Sequence, residues 1–162
     1  MNPLYVGIDV SSKSNVVYFM LPDGSRHSNF SVANSHTGSS QLVKRILSAM
    51  TSCSLDTVLI GLEATSVYGD NLVYFLREDA ALARFNSKIH VLNLKQVSKF
   101  KEAYNDLPKN DFIDSFVTAD CLRFGKSTKR YISVTIVTKH FRTLHEHAIS
   151  LFPTSSKKSN VL

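Results

Sequence analysis

The sequence predicts an α/β fold: a mixed five-stranded sheet, with three antiparallel strands followed by αβ units, flanked by helices. Three observations carry this. Polar turns at Ser11–Asn15 and at Pro22-Asp23-Gly24 cut the N-terminal segment into short runs of apolar and β-branched residues. From Ser39 onward the apolar spacing changes to the threes and fours of a helix. Helical patterns then alternate with short continuous apolar runs, as in chains that lay helices on the faces of a sheet.

Taken in order, Leu4 to Asp9 reads as a buried strand that ends on a carboxylate. Ser11-Ser12-Lys13-Ser14-Asn15 turns the chain into a second strand, Val16 to Leu21. Proline presets φ and glycine permits φ > 0 in the next turn, Pro22-Asp23-Gly24, which leads to a third strand, Ser28 to Val32. Tight turns between successive strands imply an antiparallel meander. Ser39-Ser40 is expected to cap a helix with Leu42, Val43, Ile46, Leu47 and Met50 on one face. Thr57 to Glu63 is the fourth strand, and a helix with Leu72, Val73, Phe75 and Leu76 follows. Lys88 to Leu92 is the fifth strand, Asn93 to Phe100 a short helix, and Lys101 to Lys109 a polar loop. Asp111 opens a helix with Phe112, Ile113, Phe116, Val117 and Leu122 as apolar positions, and Gly125 is its expected stop. The order β-β-β-α-β-α-β-α is that of the RNase H-like fold.

A chain of 162 residues, 43% hydrophobic and 20% charged, fits one globular domain that needs no disulfide or metal staple. Cys53 and Cys121 form no CxxC pair and read as packed thiols. No apolar run nears the ~20 residues of a membrane span. No secretory signal is visible, so the cytoplasm is the expected compartment. A net charge of +6 favours an acidic partner such as nucleic acid, although much of the excess lies after Lys126. The domain boundary is expected near residue 125. Residues 126–162 then form a divergent C-terminal segment: a helix with Phe141, Leu144, His145, Ala148, Ile149 and Phe152, and a Ser/Lys-rich disordered tail from Thr154 to Asn160.

The chemistry points to four acids. Asp9 ends the first strand, Glu63 ends the fourth, Asp111 starts the last well-defined helix, and Asp114 follows on the same helix face. Singly, each is an ordinary loop-starting or first-turn acid. Jointly they fall at one edge of the sheet if the first and fourth strands are parallel neighbours, the edge where open α/β sheets bind ligands. Clustered carboxylates repel, and hard divalent cations such as Mg²⁺ or Mn²⁺ relieve that repulsion through oxygen ligands. Two ions about 4 Å apart hold both the attacking and the leaving oxygen of a phosphodiester. Asp120, off that helix face, reads as a helix-surface acid. His140, His145 and His147 lack the partner spacing of a zinc site. Lys13, in the first turn, is either a phosphate contact or a solvated turn lysine.

Three segments carry a family resemblance: Val6-Gly7-Ile8-Asp9-Val10-Ser11-Ser12-Lys13, Gly61-Leu62-Glu63-Ala64-Thr65-Ser66-Val67-Tyr68-Gly69 and Lys109-Asn110-Asp111-Phe112-Ile113-Asp114-Ser115. They resemble the motifs of the DEDD transposases of bacterial insertion sequences, the family of the DNA invertase Piv, over about residues 3 to 125. The resemblance implies a RuvC-like N-terminal domain in which Asp9, Glu63, Asp111 and Asp114 bind Mg²⁺ and act in DNA strand cleavage. It also implies insertion-sequence ends and target DNA as partners, a structured non-coding RNA as a guide, and a homo-oligomer. The family usually has glycine at Ser66, threonine at Asn110 and alanine at Ser115. Its members continue into a second domain with a nucleophilic serine, so this chain is expected to be a truncated or degenerate copy that lacks it.

Two rival readings stand beside this one. A sugar-kinase or actin-like ATPase also opens with a strand, an acid and a hydroxyl-rich turn. Its phosphate-binding turn needs glycine, and Asp9-Val10-Ser11-Ser12 has none. The second rival is a catalytically incomplete fragment acting only as a DNA-binding or oligomerisation module, which the sequence does not separate from an active nuclease domain.

Overall fold

Strand β1 (Pro3–Val10) pairs antiparallel with β2 (Ser14–Met20), and β2 pairs antiparallel with β3 (Arg26–Ala33). This is the meander that the two turn signals predict. The computed structural model describes residues 1–63, 67–104 and 110–125, apart from the side chains of Gln96 and Asp111. The expectations for Ser66, the histidines of the C-terminal segment, its helix and its tail lie outside the described residues. So do residues 105–109 of the expected polar loop and the Asp111 side chain.

After β3 come helix α1 (His36–Ser52), strand β4 (Thr57–Glu63), helix α2 (Asp70–Glu78), strand β5 (Asn86–Leu92), helix α3 (Leu94–Lys101) and helix α4 (Asp111–Arg123). Short 3₁₀ turns occupy Leu82–Arg84 and Glu102–Tyr104. The sheet order is β3-β2-β1-β4-β5, with β1, β4 and β5 parallel. The mixed five-stranded sheet is therefore observed, with β1 and β4 side by side.

Three local expectations are corrected. Helix α1 starts at His36, and Ser35 is its cap, its side chain accepting from the Gly38 N–H at 3.2 Å. Ser39 and Ser40 lie inside the helix and donate back to the Ser35 and His36 carbonyls, each at 3.0 Å. A hydroxyl early in a helix has this alternative to capping. Second, Lys101 closes α3 and Glu102–Tyr104 is helical, so the polar loop starts later than expected. Third, Asp120 is only 4% exposed and is no surface acid.

The side-chain alternation of the strands sorts the core into two layers. Leu4, Val6 and Ile8 of β1 and Val58, Ile60 and Leu62 of β4 pack with Leu42, Ile46 and Met50 of α1 and Leu72 and Leu76 of α2. Tyr5 and Leu59, on the opposite face, pack with Val117 and Leu122 of α4 and Val97 of α3. Each fully buried aliphatic side chain contributes roughly 1.5–3 kcal/mol. Asn110 caps α4, accepting from the Ile113 N–H at 3.0 Å. Asparagine is among the residue types that cap helices best. Gly125, at φ +64, ends the helix as predicted, its N–H donating to the Leu122 carbonyl at 3.0 Å.

Asp120 is buried because α4 is covered on two sides, by the sheet and by α3. Its carboxylate accepts from the Tyr104 hydroxyl and, at 2.7 Å, from Arg123 Nε. Tyr104 also stacks edge-on against Phe100 and Phe116, which fastens the end of the α3 segment to α4. Asp120→Ala strands the Arg123 guanidinium, which is partly buried, and should cost about 3 kcal/mol in a urea melt. A cost within 0.5 kcal/mol of zero, the usual range for a surface change, would show the network to be idle. Burial, then the bond to Asp120, pushes Tyr104 up to about 12. Its contribution is therefore complete below the ordinary tyrosine value near 10 and is lost as pH rises towards about 12.

Candidate active site

Two glycines build this site. Gly7 of β1 and Gly61 of β4 are direct partners in the parallel pairing. Both face α4. A Cβ on Gly7 would stand 2.0 Å from the Ser115 carbonyl oxygen and 2.5 Å from the Ala119 nitrogen. A Cβ on Gly61 would stand 2.8 Å from Leu122 Cδ1 and 3.2 Å from Thr118 Cγ2. Because neither strand has a side chain there, the helix backbone settles onto the sheet at this one level.

Two residues further along each strand come Asp9 and Glu63. They share the face of Gly7 and Gly61 by the strand period, and they lie one step beyond the Ile8–Leu62 pair. The first and fourth strands thus place their acids at the same edge, as the sequence predicts. Gly61 lies under Thr118 and Leu122, while Glu63 lies within the field of Asp114. Moving along β4 therefore means moving back along α4, towards its acidic N-terminus.

Burial first, then the negative charges of Asp9 and Asp114, raises the Glu63 pKa, and Lys101 lowers it in part. Three of the four predicted acids thus share one electrostatic neighbourhood. The fourth, Asp111, is placed by its backbone at the first position of α4. Lys101 Nζ, at the end of α3, donates to Asp114 Oδ1. Among the described residues, no three His, Cys, Asp or Glu side chains are grouped as a metal ion would need. The donor chemistry nevertheless fits a hard divalent cation: Glu63, whose ionised form burial and then the charges of Asp9 and Asp114 disfavour, stands with those carboxylates beside a lysine that offsets only part of the charge.

Lys101 escaped the sequence reading because a polar residue following Phe100 looked like the start of a loop. Its signal was helical continuity, for it lies four residues after Val97. Asn34 carries no local sequence signal of its role. Its side-chain amide donates to the Ser11 carbonyl at 2.8 Å and the Tyr68 carbonyl at 3.2 Å. It thereby ties the turn after Asp9 to the segment after Glu63. Lys13 is exposed in that first turn. Ser115, where the family favours alanine, is fully buried and donates to the Phe112 carbonyl at 3.0 Å, so its hydroxyl leaves no unmet bond.

The sequence matches a family described as Transposase, of the DEDD IS110 type, over residues 6–162. The match runs beyond residue 125, where the motif resemblance was expected to stop. No match is found among curated protein sequences. Among solved structures, RuvC of T. thermophilus in complex with a Holliday junction substrate is similar, with a TM-score of 0.50 and 12% identity over 79% of this chain and 97% of that one. A second Thermus thermophilus RuvC structure gives 0.50 and 12%, over 77% and 97%. The Fowlpox virus resolvase with its Holliday junction DNA gives 0.44 and 14%, over 78% and 97%. At such identities the RuvC likeness is one of fold, and it agrees with the RNase H-like order.

Proposed function

The chain belongs to the DEDD transposase family and acts in DNA transposition and recombination, and from that premise we propose that Asp9, Glu63, Asp111 and Asp114 form its metal-dependent strand-cleaving centre. The observation that carries this is the pairing of β1 with β4, which sets Asp9 and Glu63 side by side on the face that α4 covers with Asp114. Mg²⁺ or Mn²⁺, when bound, supplies charge to the phosphodiester and makes water a better nucleophile. The residues themselves do the rest. Asp9 and Glu63 offer oxygens from a rigid sheet edge, and α4 brings Asp111 and Asp114 down onto them. The glycine pair sets how closely that helix approaches. Residues 1–125 are the nuclease-type domain in this reading. DNA is the substrate, and a structured RNA and a second copy of the chain are its further partners. Among the described residues no helix is long and apolar enough to cross a membrane.

Metal should raise the melting temperature. Binding to the folded state alone, at a hundred times Kd, stabilises by about 2.7 kcal/mol. For a chain of this size that is roughly 5–10 °C. Asp9→Asn and Asp114→Asn should lose most of the gain. The companion measurement is cleavage of branched and linear DNA with Mg²⁺ and with chelator. Identical melting curves with and without metal, together with metal-independent cleavage, would sink the proposal. DNA binding should be weak and steeply salt-dependent, because it rests on counterion release.

A further inference from the structure

Lys101 closes α3, and its ammonium is bonded to a proposed metal ligand, Asp114. Its backbone does not depend on that bond. Phe100 on one side and Tyr104 on the other pack edge-on against each other. Tyr104 packs in turn on Phe116 and bonds Asp120, so the end of α3 is fixed to α4 without the lysine. The side chains of Lys101 and Asp114 are both about one-third exposed, at 36% and 37%. An ammonium on a long flexible stem, partly in water, can leave a carboxylate without unpacking anything.

We propose that Lys101 is the resident counter-cation of the acid cluster, yielding Asp114 to an incoming divalent ion and then taking a phosphate oxygen of the bound DNA. The proposal rests on the metal-site reading above. Its physical basis is charge balance. Without metal, the acids need a positive charge, and Lys101 supplies it. With metal, a lysine and a divalent cation on one carboxylate repel each other. The displaced ammonium then stands at the sheet edge where the phosphodiester must come. Among the described residues this makes Lys101 a substrate-binding residue that is engaged only in the metal-loaded state.

The test uses the full chain and its Lys101→Met and Lys101→Arg variants. Mn²⁺ affinity is read by titration calorimetry and by melting temperature. Losing the competing charge should tighten Mn²⁺ binding of Lys101→Met about tenfold, as expected for one charge repulsion near a partly exposed surface. It should also lower the melting temperature in chelator, and Lys101→Arg should restore both values towards the parent. The second readout is the salt dependence of binding to linear duplex DNA, with Ca²⁺ to prevent turnover. Lys101→Met should reduce the slope by about one phosphate contact with Ca²⁺ and leave it unchanged in chelator. Equal Mn²⁺ affinity in parent and Lys101→Met overturns the proposal while leaving the metal site standing. So does a slope that changes equally with and without the cation. No Mn²⁺ response in any variant overturns both this proposal and the metal-site reading.

Discussion

Gly7→Ala is expected to lower the melting temperature by about 10 °C or more, while Gly61→Ala costs only a fraction of that. The two glycines are partners in the same parallel pairing and face the same helix, so sequence alone ranks them equal. What differs is the obstacle. The added methyl at position 7 meets backbone, the Ser115 oxygen at 2.0 Å and the Ala119 nitrogen at 2.5 Å. Backbone inside a helix yields only if α4 moves as a body. At position 61 the nearest atom is the far end of the Leu122 side chain at 2.8 Å, which a rotamer change relieves. Overpacking of a core costs about 1–3 kcal/mol, more where nothing can give, and Gly7→Ala belongs at or above the upper end. At several degrees per kcal/mol for a domain of this size, the expected shift follows. Alanine would otherwise favour a strand over glycine, so any loss understates the clash. The same variant should also weaken metal binding, because lifting α4 carries Asp114 away from Glu63. Equal melting temperatures for the two alanine variants would show that the helix does not rest on Gly7.

The strand positions were legible because turn chemistry and the strand period are local. Pro22-Asp23-Gly24 announces a hairpin without reference to anything distant, and Thr57–Glu63 is observed at the predicted limits. Asp9 and Glu63 stand out in the sequence for the same reason: each ends an apolar run. Asp114 followed from one helical spacing. The errors arose where a residue's role is set from outside its own segment. Asp120 reads as a surface acid if α4 is taken to have one apolar face. It lies three and four residues from Val117 and Phe116, and α3 covers that side as well. A charge among Phe116, Val117 and Cys121 was the signal, but it does not say whether a Tyr104 and an Arg123 will be there to receive it. Lys101 is similar. Its helix was foreseen to end at Phe100, and the partner that gives it meaning lies on another element. Ser39 and Ser40 show a third limit, since a run of hydroxyl residues starting at Ser35 offers several caps and only the packing of the helix selects one.

Glu63→Gln should raise stability and abolish cleavage together, a combination that separates a functional acid from a structural one. Burial and the charges of Asp9 and Asp114 raise the Glu63 pKa in the folded chain above its ordinary value. A raised carboxyl pKa means that the folded state disfavours the ionised form, so at neutral pH Glu63 destabilises the fold. Glutamine removes the charge and keeps the shape. In chelator at pH 7 the variant should therefore melt higher than the parent. As pH falls through the raised pKa, the parent takes up its proton in the folded state first and the penalty disappears. The two melting curves should then converge below the ordinary glutamate range. Divalent metal should reverse the order at neutral pH, because in the proposed centre it would stabilise the parent and would have one ligand fewer in the variant. Cleavage should fall at least about 100-fold, beyond the 10- to 100-fold typical of losing an outer-shell partner of a metal ligand. DNA binding in chelator should be unchanged or slightly tighter, since a negative charge near the phosphates has gone. A structural Glu63 would give the opposite pattern: a lower melting temperature at pH 7 in chelator, with a metal response and a cleavage rate close to the parent's. That outcome would remove Glu63 from the centre and leave the sheet edge without its second acid.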